Sequence, residues 1–317
     1  MNVMGVCRLA LLASMIFGLL LHPTLAAELA FVINSGEASV SILDVATQKE
    51  LRRIPVLREP HHMALTPDGK SLLVGDTTGN TLFFLDPQTG IVQRQMTMSD
   101  PYQLTFSPDG RWLTIAGLAR NQIDIYDASS MRLTHRVPAS SMPSHINYAP
   151  DSSVVYVSLQ GSDRLIAIEV ASGKVLWNVK VGSTPAGVLW HDGKLLVGIM
   201  GSDYVAVVDP VDGGVERKVQ TGRGAHVMFV PHDRKVIYVS NRVDGSIAVL
   251  DATSLQVLRR FSIPGGPDDM DFAPDGRIWI SQRFARSIAV FDLKTGQLTS
   301  IAVGRSPHGI WLNTHQN

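Results

Sequence analysis

A chain of 317 residues with 28 basic and 28 acidic side chains has no charge excess, which removes the electrostatic case for nucleic acid or an anionic membrane surface as partner. Hydrophobic residues at 45% and charged residues at 18% suit a globular all-β protein with many buried strands. The single cysteine, Cys7, rules out a disulfide framework.

Residues 1–26 have the layout of a secretory leader: Arg8, a thirteen-residue apolar run at 9–21, His22-Pro23, and a small-residue cleavage site at Thr24-Leu25-Ala26. The apolar run falls short of the roughly 20 residues that a membrane-spanning helix needs. Cys7 precedes this run, which is not the place of a lipoprotein cysteine. Cleavage would leave a mature chain, 27–317, without a thiol and with 27 basic against 28 acidic residues. The expectation is an exported periplasmic protein with no membrane span after processing.

The mature chain repeats about every 41 residues. An acidic residue recurs at Asp44, Asp86, Asp127, Glu169, Asp209, Asp251 and Asp292, at intervals of 40 to 42 residues. Twelve residues before each stands a β-branched residue: Val32, Val74, Ile115, Val157, Val197, Val239 and Ile280. The apolar runs around them, such as 236–241, favour strand. Turn chemistry follows the acidic residue, as in Asp86-Pro-Gln-Thr-Gly90. A second turn, Pro-Asp-Gly, recurs at 67–69, 108–110 and 274–276, with proline presetting φ and glycine in the left-handed position. Each unit therefore supplies four strands, and a period near forty with such units reads as a β-propeller.

Counting closes the ring. The mature chain opens with the second, third and fourth strands of a unit, runs through six full units, and ends on a lone first strand, 306–312. The predicted fold is a single all-β domain, 27–317: a seven-bladed β-propeller of four-stranded blades. Its C-terminal strand would complete the N-terminal blade and leave no open end to the ring.

The strand motif Tyr238-Val-Ser-Asn241 resembles that of the seven-bladed YVTN-repeat propellers, many of them periplasmic, and the resemblance runs through the whole mature chain. It implies architecture more than activity, because the scaffold has many uses.

In a propeller the first strand of each blade lines the central channel, and the loops into the first strand and out of the second share one face. The regular turns belong to the opposite face. Leu65, Phe106, Tyr148, Trp190, Phe229 and Phe272 hold one column and are expected to fill the wedges between blades. The residue that leads into each first strand also holds register: Pro60, Pro101, Pro143, Pro185, Gly224, Pro267 and Pro307. These open blades 1 to 7. The next two residues vary: His61-His62, Tyr102-Gln103, Ser144-His145, Ala186-Gly187, Ala225-His226, Asp268-Asp269 and His308-Gly309. Five of the nine mature histidines fall in these fourteen positions.

The loop after the second strand contributes Asn34, Asp76, Asn241 with Arg242, and Gln282 with Arg283 to blades 7, 1, 5 and 6, against Gly117, Leu159 and Ile199 on blades 2, 3 and 4. A mouth polar on one arc and apolar on the other suits an amphipathic ligand. For any single residue, a histidine beside proline also serves to satisfy backbone groups in a turn. Strict alternation along a strand would send His61 and His62 to opposite sides, one of them into the channel.

Three functions compete. The first is a non-enzymatic binding or accessory propeller, expected to be monomeric, that receives a small-molecule ligand, a cofactor or a periplasmic protein partner. Its candidate ligand-binding residues are His61, His62, His145, His226, His308, Asp268, Asp269, Asn241, Arg242 and Arg283. In the second, His62, His145 and His226, in register on alternate blades, converge on a transition metal or serve haem. The chain is more distantly similar to the d1-type haem domain of nitrite reductases. It differs in counting seven blades rather than eight and in lacking Cys-x-x-Cys-His. The third resembles the propeller lactonases or lyases: His226 or His308 as general base, Asp268 or Asp269 orienting it, Arg242 or Arg283 holding a substrate carboxylate.

Overall fold

The computed structural model describes residues 28–56 and 58–315. The leader, Cys7 and the cleavage site lie outside the described residues.

The acidic column is a turn device. Asp44 accepts from the N–H and hydroxyl of Thr47, Asp86 from the N–H groups of Gln88 and Thr89, Asp251 from Ser254 and Asp292 from Lys294 and Thr295. Each carboxylate thus closes the tight turn between the third and fourth strands. Asp127 shows the strength of this donor set: the hydroxyl and N–H of Ser130, with the hydroxyl of Ser129, hold it down at about 2. In the other recurring turn, Gly69, Gly110 and Gly276 have φ of 69°, 71° and 86°, the left-handed region where a side chain is strained.

Between these turns the apolar runs pair as antiparallel strands. Val236–Asn241 runs against Ser246–Asp251, with Val239 opposite Ala248. The described residues form seven four-stranded sheets, adjacent sheets packing in a ring. Six are continuous in sequence. Their first strands are Pro60–Leu65, Gln103–Phe106, Pro143–Tyr148, Pro185–His191, Ala225–Phe229 and Pro267–Phe272. The seventh combines Pro307–Leu312 with Leu29–Asn34, Ser39–Asp44 and Lys49–Pro55, so the C-terminal strand completes the N-terminal blade as the repeat count requires.

Burial peaks in the middle of each blade. Second and third strands are buried but for residues at their ends, whereas fourth strands such as Lys49–Pro55 and Val92–Thr97 are largely exposed and rich in charge or amide. Such residues on an outer edge oppose pairing with another chain. The apolar core lies between blades: Ile123 and Ile125 of blade 2 pack with Val155, Val157 and Ile166 of blade 3. The aromatic column works in these wedges. Tyr148 reaches the Thr114 hydroxyl of blade 2, Trp190 lies 6.0 Å from the Tyr156 ring of blade 3, and Phe272 lies 5.4 Å from Tyr238 of blade 5.

Three kinds of contact hold the ring closure. Val32 pairs Ile310 and Asn34 pairs Pro307, Leu29 N donates to Asn313 Oδ1 at 2.8 Å, and Trp311 packs on Phe31 with ring centroids 5.4 Å apart. Ile310 and Leu312 are buried, each contributing about 1.5–3 kcal/mol. Removal of residues 304–317 should therefore lower Tm by more than about 10 °C and yield oligomers through the bared strand Leu29–Asn34. A truncated protein that stays monomeric in sedimentation and melts like the full chain contradicts this account of closure.

Candidate functional site: the channel mouth

The backbone at the mouth departs from a regular ladder. Pro60 pairs Asp76 while Met63 pairs Val74, so three steps on the first strand match two on the second. The same shift occurs at Pro143/Ile146, Pro185/Val188, Ala225/Met228, Pro267/Met270 and Pro307/Ile310. A β-bulge of this kind breaks alternation and re-aims side chains. It overturns the expectation that one of His61 and His62 turns away from the channel: both rings lie against His308, with centroids 4.3 and 4.6 Å from it.

Each bulge leaves backbone groups outside the ladder, and a small residue on the second strand accommodates them. Ser240 Oγ receives the N–H of Val227 in its own blade and donates to the carbonyl of Asp268 in the next, at 2.9 Å. Ser281 accepts from the N–H of Asp269 and donates to the carbonyl of His308. Where this column holds glycine there is no room for a side chain. A Cβ on Gly75 would stand 2.2 Å from Pro101 O, and one on Gly198 2.3 Å from His226 O. Sequence reasoning missed this column, although its signal of Gly75, Ala116, Ser158, Gly198, Ser240 and Ser281 was present one residue after the β-branched column in six of the seven copies, Ile33 being the exception. Gly75→Val should cost about 1–3 kcal/mol by overpacking, read by urea denaturation. An unchanged midpoint would show that the blades part without strain.

Five imidazoles converge on the axis. His62 meets His145 at a ring-centroid distance of 5.5 Å, His145 meets His226 at 5.1 Å, and Tyr102 stacks on His61 at 4.1 Å. Beside them Asp268, 0% exposed, collects the cations of the mouth. Arg242 Nη2 donates to its Oδ1, Arg283 Nη1 lies 3.3 Å from Oδ2, and His226 Nδ1 lies 2.8 Å from Oδ1. Burial alone would raise this carboxyl; the charges of His308, Arg242 and His226 outweigh it and hold Asp268 well below the usual range. At neutral pH the permanently charged guanidinium carries this effect, because burial keeps the histidines neutral. Burial, then the Asp268 charge, pushes Asp269 well above the usual range. Asp269 lines the channel without joining the arginine cluster.

Asn241 stands apart from these groups. Its amide is engaged by Thr221 and Ser246, as Asn34 is by Ser39, Ser41 and Gly304. Asp76 likewise accepts from the N–H groups of Arg58, Glu59 and Gly79. This second polar ring braces the loops of the mouth. Of the proposed general bases, His226 is fully engaged: Nδ1 faces Asp268, and Nε2 accepts from Arg242 Nη2 at 2.8 Å. His62, His145 and His226 form a chain of edge-to-face rings across the channel. Among the described residues, the histidines whose ring nitrogens approach to within 4.8 Å of one another are His61, His62 and His308.

Unpartnered atoms mark the site. Nδ1 of His61, Nε2 of His62, Nε2 of His145, Nδ1 of His308 and Nε of Arg242 are buried without a hydrogen-bond partner, in a class of groups that is rarely left so. The cavity under the rings, lined by His62, His145, His226, His308 and Asp269, encloses about 180 Å³. This is below the roughly 300–1,000 Å³ of ordinary organic-ligand pockets. The rings, already in mutual contact, leave no space between them for a tetrapyrrole.

The fold and the mouth together define a seven-bladed propeller with a polar, histidine-lined channel. Residues 4–317 match the YNCE-like beta-propeller family, and the chain belongs to it. Among solved structures, a functionally unknown protein from Desulfotomaculum acetoxidans DSM 771 superposes with a TM-score of 0.78 at 14% identity, over 90% of this chain and 99% of the other. The dihydro-heme d1 dehydrogenase NirN, solved in complex with DHE, gives 0.67 at 16% identity over 92% and 77%. Hydrazine synthase of Kuenenia stuttgartiensis gives 0.67 at 19% identity over 92% and 99%. At such identities the likeness is one of fold. No curated protein matches the sequence.

Burial lowers the pKa of all five channel histidines, well below the usual value for His61, His62, His145 and His308. In the unfolded chain they would titrate near 6.5, so below that pH the unfolded state binds protons that the folded state refuses. Stability should hold above pH 7 and fall as the pH drops from 6.5 towards 5. Asp268, also depressed, extends the loss below pH 4, whereas Asp269, raised, binds its proton more readily in the folded state and offsets part of the loss. Replacing His61, His62 and His145 by glutamine should flatten the pH 5–7 limb of Tm against pH. A limb unchanged in that variant would place the acid sensitivity elsewhere.

Proposed function

We propose that this chain is an exported periplasmic binding protein, monomeric and without catalytic activity of its own, whose channel mouth captures a small anionic ligand. The observation that carries this reading is the pairing of Arg242 and Arg283 around one fully buried carboxylate, which also faces His226 and His308 of a cavity whose imidazoles include unpartnered nitrogens. Two guanidinium groups against one Asp268 leave a net positive charge, and the Arg242 Nε–H remains free to donate. Guanidinium groups suit carboxylate and oxoanion groups in particular, because their donors form a planar fork. The cavity volume limits the ligand, or the part of it that enters, to a few heavy atoms. Export is supported by the leader pattern at 1–26 and by the absence of cysteine from the mature chain.

Metal-free mature protein should be screened by thermal shift and calorimetry against phosphate, sulfate, acetate, oxalate and succinate. A ligand at 100 times its Kd stabilises by about 2.7 kcal/mol, a shift of several degrees, and Arg242→Met or Arg283→Met should abolish the response. If none of these anions shifts the melt at ten-millimolar concentration, the reading is wrong.

A further inference from the structure

We propose that His61, His62 and His308 form a three-imidazole site for one borderline divalent transition-metal ion, Zn²⁺ or Cu²⁺, with a fourth coordination position open to an exogenous ligand. The site lies within the mouth and rests on the reading of that face as ligand-receiving. Its His308 faces Oδ2 of Asp268, whereas Arg242 donates to Oδ1.

Four observations converge on it. One ring nitrogen of each residue lies within 4.8 Å of the other two. The residues are 4%, 8% and 1% exposed, and each keeps a ring nitrogen without a partner: Nδ1 of His61, Nε2 of His62 and Nδ1 of His308. The other nitrogen of His308, Nε2, stands 3.6 Å from Asp268 Oδ2. A carboxylate behind a metal-bound imidazole commonly fixes its tautomer and orientation, here leaving Nδ1 as the ligand atom. Finally, Tyr102 stacks on His61 at 4.1 Å and limits the swing of that ring.

Donor chemistry narrows the ion. Three imidazoles with no thiolate or carboxylate in the set exclude calcium and magnesium, which take oxygen ligands, and suit zinc, copper or nickel. Ligands about 2.0–2.1 Å from zinc in a tetrahedron sit closer together than 4.8 Å, so binding requires the rings to turn inward about χ2. The His61-His62 and His308 segments are both bulged, so their rings are already aimed at the axis. Three protein ligands leave a tetrahedral ion one position short. Arg242 and Arg283 against a single Asp268 disfavour a bare dication, which makes an anion the fitting fourth ligand.

The site also crosses the ring seam. His308 is on the C-terminal strand that completes blade 7, whereas His61 and His62 open blade 1, so an ion held by all three would tie the last strand to the neighbouring blade.

The test uses untagged mature protein, stripped with a chelator, dialysed and titrated with Zn²⁺ by calorimetry and with Co²⁺ by absorption. One equivalent should bind, with Co²⁺ bands of four-coordinate intensity and a higher Tm. His61→Ala and His308→Ala should each weaken binding about 100-fold, and His135→Ala, on an exposed fourth strand, should change it less than about threefold. Should an alanine variant unfold, His62→Gln and His308→Gln serve in its place, with circular dichroism confirming the fold. Binding no tighter than millimolar, or one-equivalent binding that survives loss of both His61 and His308, overturns the site. An Arg242-dependent anion response without metal binding overturns the metal site alone; loss of both responses overturns both readings.

Discussion

The ring depends on a close contact that recurs at several blade junctions: the start of a first strand, bulged in most blades, pressed against a small residue on the second strand of the preceding blade. Gly75 under Pro101, Gly198 under His226, Ser240 under Asp268 and Ser281 under His308 are versions of it. The bulge takes a carbonyl out of its own ladder, and burying that group without a partner would cost free energy. Serine supplies a hydroxyl, and glycine lets the neighbouring backbone come closer. Blade spacing near the axis, and with it the width of the channel, follows from this contact.

A narrow channel explains the electrostatics of the mouth. Asp268 has no access to water and is tolerable as an anion only because Arg242 and Arg283 reach it from the loops of blades 5 and 6. The histidines next to it carry no compensating charge and are held neutral by the same enclosure. Two outcomes of burial therefore sit side by side: a carboxylate kept ionised by fixed cations, and imidazoles kept unprotonated with several nitrogens unengaged. Folding alone does not account for the second, because a buried nitrogen without a partner contributes nothing to stability.

The architecture was legible because it is written in turns. The acidic column and the Pro-Asp-Gly column each make the same hydrogen bonds or backbone angles in successive copies, so period and strand count could be read directly, as could the closing strand 306–312. The site was legible only as a clustering of histidines. Strict alternation misassigned His61 and His62, because a bulge is set by the strand it pairs with and by the next blade, neither of which is local in sequence. The alternate-blade trio of His62, His145 and His226 was chosen on register, whereas ring proximity also depends on how far each side chain leans along the axis. Asn241 was grouped with the mouth by position, yet its amide belongs to the loop beneath.

The bulges also separate two inheritances within one backbone. The residues inside each bulge contribute side chains to the axis while the flanking pairs, Pro60 with Asp76 and Met63 with Val74 for example, keep the ladder in step. Substitution within the bulge therefore alters what the channel recognises without shifting any strand. Six such windows, on every blade but the second, let one ring be rewritten blade by blade. Propellers that share this backbone at 14 to 19% identity need share nothing of what they hold at the centre.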